Sequence, residues 1–134
     1  KWDNKVEDGL HSREEFNLVI NDERFAMEPD IEAFESSEAY DVLIKAAGNK
    51  KLKEVMKMDF TRELLKIDTG DSISALSFDI GTVHGESGDV PISEMELEWY
   101  HGSEEDFKYI ASKLAEKYNL KAENISKLQK GFAE

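Results

Sequence analysis

Cysteine is absent from the chain, which excludes disulfides and any thiolate metal site. A cysteine-free protein suits a reducing compartment, so the cytoplasm is the expected location. Long apolar runs are missing as well. None approaches the ~20 residues that a membrane span needs, and no signal peptide is visible. Only two prolines occur, and the first, Pro29, ends a turn-rich connector, NDERFAMEPD. Basic residues are scarce: 17 Lys and Arg stand against 30 Asp and Glu, a net charge of −13. Such a field repels nucleic acid and anionic membranes, so neither is expected as a partner. A phosphorylated small ligand stays compatible with it, provided the few basic residues converge and a divalent cation bridges the rest.

What is present suits one soluble domain. The 134 residues, 40% hydrophobic and 35% charged, suffice for a single core spanning 1–134. Residues 1–12 are polar and hold Gly9, which reads as a loop. From Arg13 to Ile20 the pattern alternates, with Phe16, Leu18 and Ile20 on one face and Arg13, Glu15 and Asn17 on the other. This predicts a strand. Ser36 and Ser37 offer N-caps to a short helix with Ala39, Leu43 and Ala47 in a stripe and Gly48 as its stop.

Three strands should follow. They are 56–67, 72–83 with Gly81 as a kink or bulge, and 91–100, separated by the turn signals Thr69-Gly70-Asp71 and HGESGD at 84–89. Ser103 then opens an amphipathic helix, with Asp106 at the capping-box position and Phe107, Ile110, Ala111, Leu114 and Tyr118 on one face. The polar end, 122–134, is expected to close with a short strand or turn near Ser126-Lys127. The class is antiparallel α+β.

The stretch Ser93 to Gly102 (SEMELEWYHG) raises the functional question. Glu94, Glu96 and Glu98 alternate with Met95, Leu97 and Trp99. On a strand, three carboxylates share one face. Neighbours ~7 Å apart in water repel by under ~1 kcal/mol, so a wet edge tolerates them. Alone, this strand favours that bland reading. Others change the balance: Arg62 sits within DFTRE, and Asp79 interrupts the apolar run LSFDIG. Charges of both signs on otherwise apolar strands suit a closed sheet with a polar interior.

The blocks Gly9–Asn17 (GLHSREEFN), Asp59–Glu63 (DFTRE), Ser77–Val83 (SFDIGTV), Pro91–Glu98 (PISEMELE) and Ser126–Phe132 (SKLQKGF) resemble, in order, successive blocks of the CYTH domain. That is the superfamily of triphosphate tunnel metalloenzymes, and the resemblance is closest to its bacterial inorganic triphosphatases. It implies a tunnel of eight antiparallel strands, an inverted β-barrel with helices packed outside and charges within. The implied function is metal-dependent hydrolysis of a triphosphate-containing small molecule, inorganic triphosphate first. The alternatives are a non-catalytic polyphosphate- or nucleotide-binding module and an adenylate cyclase-type protein.

Position by position, the resemblance assigns Asp79, Glu94 and Glu96 to Mg²⁺ or Mn²⁺. It assigns Lys1, Arg13, Arg62 and Lys127 to the phosphates, and Arg62, Lys127 and Glu15 to catalysis. Two departures stand in the terminal block, where Lys130 replaces the family's usual Arg and Phe132 its Tyr. The family's alternating Glu-x-Glu-x-Lys strand also has no counterpart. This implies that the chain supplies the C-terminal two thirds of a domain whose first third lies upstream of Lys1. A homodimer is one way to complete such a tunnel. His11 is expected to form loop hydrogen bonds, while His84 and His101 face solvent beside turns.

Overall fold

A computed structural model describes residues 2–132, in two compact units that meet in sequence between Val55 and Met56. The first unit opens with β1 (Trp2–Glu7) and β2 (Leu10–Glu14), an antiparallel hairpin rather than the expected loop. Its turn is Asp8-Gly9, both at positive φ (50° and 78°). That geometry matches the twist of two-residue hairpins and favours Asp-Gly. Pairing runs out at Trp2 with Glu14. The expected strand at 13–20 therefore holds only as far as Glu14, and 15–22 carry no regular structure.

Two 3-10 turns follow, at Glu23–Ala26 and Ile31–Phe34. Asp22 and Asp30 cap them by accepting from the amides of Arg24 and Glu32, and the rings of Phe25 and Phe34 meet edge-on at 5.7 Å. Helix α1 (Tyr40–Ala47) starts later than the serines suggest. Ser37 Oγ accepts from the Ala39 amide (3.1 Å), closing a turn before the helix, and Ala39 stands at the N-cap without a side-chain bond. Gly48 ends the helix as expected.

The second unit is a meander of β3 (Lys57–Asp68), β4 (Ser72–Gly85) and β5 (Gly88–Gly102), with β4 central and both pairings antiparallel. The β3–β4 turn is held by Asp68, whose Oδ1 accepts from the Gly70 amide (3.0 Å). Glu86 and Ser87 form the two-residue turn between β4 and β5. Gly81 is neither kinked nor bulged, since it pairs with Phe60 on one side and Ile92 on the other. Its lack of a side chain serves close approach, because a Cβ there runs into the backbone of Asp59 and Phe60. The one irregularity between β4 and β5 falls after Ile73, which pairs with His101 while Ser74 pairs with Trp99.

Helix α2 (Glu104–Tyr118) contacts β4 and β5. Ser103 caps it, Oγ accepting from the Asp106 amide (3.1 Å). Asp106 does not complete the box. Its Oδ2 instead accepts from Thr69 Oγ1 (2.6 Å) and Ser72 Oγ (2.7 Å), fastening the β3–β4 turn to the helix. These hydroxyls hold the Asp106 carboxyl below its usual range. The core consists of Ala75, Leu76, Val83 and Ile92 from the sheet and Phe107 from α2. Trp99 and Tyr100 remain about half exposed.

The polar end forms a helix, α3 (Lys127–Phe132), rather than a strand. A reciprocal capping box starts it: the Gln129 amide donates to Ser126 Oγ (3.2 Å), and the Ser126 amide to Gln129 Oε1 (2.8 Å). Helix α3 contacts β4 and β5, with Gly131 against Met56 and Val83.

The class is thus antiparallel α+β, with three α-helices among the described residues. The sheets have two and three strands, and neither closes into a barrel. No helix among the described residues is long and apolar enough to cross a membrane.

Candidate metal and phosphate site

Strand register alone assembles the charged face. Arg62 on β3 pairs with Asp79 on β4, and Asp79 pairs with Glu94 on β5, forming one rung across three strands. Glu96 stands one step along on the same face, opposite Ser77, because residues two apart share a face. Glu98 lies a further step along, opposite Ala75, and is exposed.

The side chains converge. One carboxylate oxygen each from Asp79, Glu94 and Glu96 lies within 4.8 Å of the other two, the grouping of this kind found among the described residues. Lys127, at the start of α3, points its ammonium at that spot. Nζ lies 2.9 Å from Asp79 Oδ2, 2.6 Å from Glu94 Oε2 and 2.7 Å from Glu96 Oε1. Arg62 grips Asp79 with a two-pronged bond, Nε to Oδ1 and Nη2 to Oδ2, both 2.6 Å, and Nη2 lies 3.4 Å from Glu96 Oε2. Lys130 donates to Glu94 Oε1 (2.7 Å) and pairs with Glu123 Oε2 (3.1 Å). The ring of Phe60 lies 5.6 Å from the Arg62 guanidinium carbon and 5.4 Å from the Lys127 ammonium, within cation–π range.

Burial makes these contacts count. Asp79 is 1% exposed, Glu94 11% and Lys127 13%, whereas Arg62 and Glu96 keep more than 40%. Arg62 holds the Asp79 carboxyl below its usual range against the opposing effect of burial, and Lys127 adds to it. Burial pushes the Glu94 carboxyl up, but Lys127 and Lys130 together bring it below the ordinary value. Burial likewise disfavours the Lys127 ammonium, and bonds from Asp79, Glu94 and Glu96 more than offset this and raise its pKa. For Arg62 the Asp79 bonds raise the pKa against burial. Charged forms are therefore favoured on both sides of the cluster.

The donor set fits a hard divalent cation. All three ligands are carboxylates, which Mg²⁺ and Mn²⁺ prefer. Three facial oxygens around Mg²⁺ stand ~3 Å apart, and those here lie within 4.8 Å of one another. That an ammonium already reaches all three shows that they aim at one point.

Of the residues picked from sequence, Arg62, Asp79, Glu94, Glu96 and Lys127 come together here. Arg13 and Glu15 belong to the first unit. Arg13 lies on β2, where Nη2 donates to His11 Nδ1 (2.7 Å), and Glu15 lies just past its end. Lys1 lies outside the described residues. Lys130 and Glu123 join the cluster as well, although in the sequence Lys130 stands out only as a departure from the family's Arg. The Lys127–Lys130 spacing of three, which puts both on one helix face, is the signal that finds the first. No signal in the sequence singles out Glu123.

Comparison with curated proteins found no match, and neither did comparison with solved structures. The profile of the CYTH domain, by contrast, matches residues 1–132. That span includes every strand and helix among the described residues and every charged side chain of the cluster, and by it the chain belongs to the CYTH domain family.

Proposed function

We propose that this protein is a metal-dependent hydrolase of a triphosphate-containing small molecule, with inorganic triphosphate as the first candidate. The observation that carries the reading is the convergence of Asp79, Glu94 and Glu96 on one point, ringed by Arg62, Lys127 and Lys130. Membership of a family of triphosphate-binding, metal-dependent proteins supports it. Asp79, Glu94 and Glu96 would hold Mg²⁺ or Mn²⁺, which supplies charge neutralisation and polarisation at a phosphoryl group. The chain's own cations do the rest. Arg62 presents a planar fork suited to two phosphate oxygens, and Lys127 and Lys130 offer compact charges beside it. Catalysis is then mainly positioning and electrostatic stabilisation, as in phosphoryl transfer generally. Arg13 as a further phosphate ligand and Glu15 as a catalytic group complete the reading, as do a cytoplasmic location and a homodimer.

Calorimetric titration of tripolyphosphate with Mg²⁺ or Mn²⁺, alongside a phosphate-release assay, tests it. Binding and release are expected, and Glu96→Gln should weaken the metal-dependent part ~10-fold or more. Binding without release would replace the hydrolase with a polyphosphate-binding module. The absence of binding would remove both.

A further inference from the structure

All six carboxylate oxygens of the trio are already engaged. Arg62 holds Asp79 Oδ1 and Oδ2 and approaches Glu96 Oε2. Lys130 holds Glu94 Oε1. Lys127 takes Asp79 Oδ2, Glu94 Oε2 and Glu96 Oε1. Three carboxylates thus face three cations, of which Lys130 is shared with Glu123. Lys127 alone among these cations touches all three carboxylates, and it does so from where an ion would sit. A divalent ion needs its ligand oxygens at ~2.0–2.2 Å. It cannot share those oxygens with an ammonium 2.6–2.9 Å from each of them.

From this competition we infer that Lys127 is a tethered counter-cation that keeps a free divalent ion off the trio until an anion draws the ammonium away. The inference rests on the metal site proposed above and concerns its regulation. Lys127 suits the part better than Arg62. Its charge is a single hydrated point on a flexible stem, whereas the Arg62 fork is fixed at two atoms of one carboxylate. An ammonium only 13% exposed leaves its partners at a cost unless a new anion receives it. A polyphosphate supplies that anion at the moment the ion arrives. Metal and triphosphate therefore favour each other's binding through Lys127, and such coupling is reciprocal. A divalent ion by itself meets a closed site.

The test uses Mn²⁺ alone, with no triphosphate, titrated into the full chain and followed by the electron paramagnetic resonance signal of the free ion. Lys127→Met and Lys127→Gln should bind Mn²⁺ ~10-fold tighter than the wild type, within the usual range of coupling between sites. Lys127→Arg, which keeps the charge, should stay close to the wild type. Far-UV circular dichroism checks that each variant is folded, and the polar Gln variant guards against a fold specific failure of the Met variant. Equal or weaker Mn²⁺ binding by both neutral variants overturns the inference, as does equal tightening by Lys127→Arg. Glu96→Gln separates the two levels. If it abolishes Mn²⁺ binding that Lys127→Met leaves at wild-type strength, the metal site stands and the counter-cation fails. If neither wild type nor Lys127→Met binds Mn²⁺, both fail.

Discussion

On one face of the β3–β5 sheet, Asp79 is 1% exposed and is shared by Arg62 and Lys127. On the opposite face His84 lies between Asp59 Oδ2 (3.2 Å) and Asp89 Oδ1 (2.9 Å), and all three residues keep 40% exposure or more. Register builds both clusters in the same way, from cross-strand neighbours such as Arg62–Asp79 and His84–Asp89. What differs is the cover. Lys127 and Lys130 of α3 lie over the first cluster, while the second meets water. The Coulomb attraction between like pairs is similar in kind, but water screens the exposed set and leaves it little net worth. Only the covered cluster escapes most of that screening.

The largest effect should come from Asp79→Ala. Removing this carboxylate leaves a half-exposed Arg62 free to turn to solvent and a Lys127 that retains Glu94 and Glu96. The cost is therefore less than for a fully stranded pair, about 2–3 kcal/mol by urea unfolding of the metal-free protein. A loss below ~1 kcal/mol would place Asp79 in the same class as the exposed cluster. The pH dependence carries its own sign. Because the Asp79 carboxyl is held below its ordinary 3.8, its contribution is present above 3.8 and disappears as pH falls through the lower folded value. Glu94, lowered from 4.5, follows the same sense. The gap between wild type and Asp79→Ala should accordingly be open at pH 7 and close in strong acid.

A smaller effect tests the cover itself. Ser126→Ala removes the hydroxyl that accepts from the Gln129 amide. An N-cap of this kind contributes about 1 kcal/mol. Urea unfolding should show that loss, with faster amide exchange in α3 and with β4 exchange little changed. No measurable loss would mean that the lysine–carboxylate contacts hold α3 in place without its cap, and that the cluster makes its own cover.

How much of this was legible in sequence follows the same division. The three strands of the second unit, their turns and the Ser103 cap could be read because apolar alternation, turn residues and helical spacing agree there. Asp79 stood out because a charge interrupted the run LSFDIG, and Glu94 and Glu96 because alternation put them on one face. The polar hairpin Trp2–Glu14 lacked that agreement: KWDNKVE alternates no apolar set, so with Gly9 it reads as a loop. The stretch Phe16–Ile20 alternates well yet carries no regular structure, since propensity yields to tertiary context. Helix α3 is six residues with a glycine inside, too short for periodicity to show. Its capping pair, Ser126 and Gln129, gains meaning only once Gly131 docks on Met56 and Val83. That Lys127 lies over the carboxylates depends on this docking, and local patterning does not encode it.

The smallest effect belongs to His84. Asp89 favours its imidazolium most, exposure offers little opposition, and Asp59 adds to it, so the ring titrates above its ordinary 6.5. The sign is opposite to that of Asp79. A raised folded pKa gives stability that is complete below 6.5 and is lost as pH rises through the folded value. Histidine proton resonances followed by NMR should show the His84 midpoint above 6.5, and Asp89→Asn should return it most of the way toward 6.5. Asp59→Asn should move it less, because Asp89 is the direct cross-strand neighbour and Asp59 the diagonal one. The unfolding midpoint should barely respond to either substitution, since all three groups already face water. A midpoint at or below 6.5, or one indifferent to Asp89→Asn, would mean that water screens even the titration. A marked loss of stability would instead show that exposure does not separate the two faces, and the contrast with Asp79 would have to rest on α3 alone.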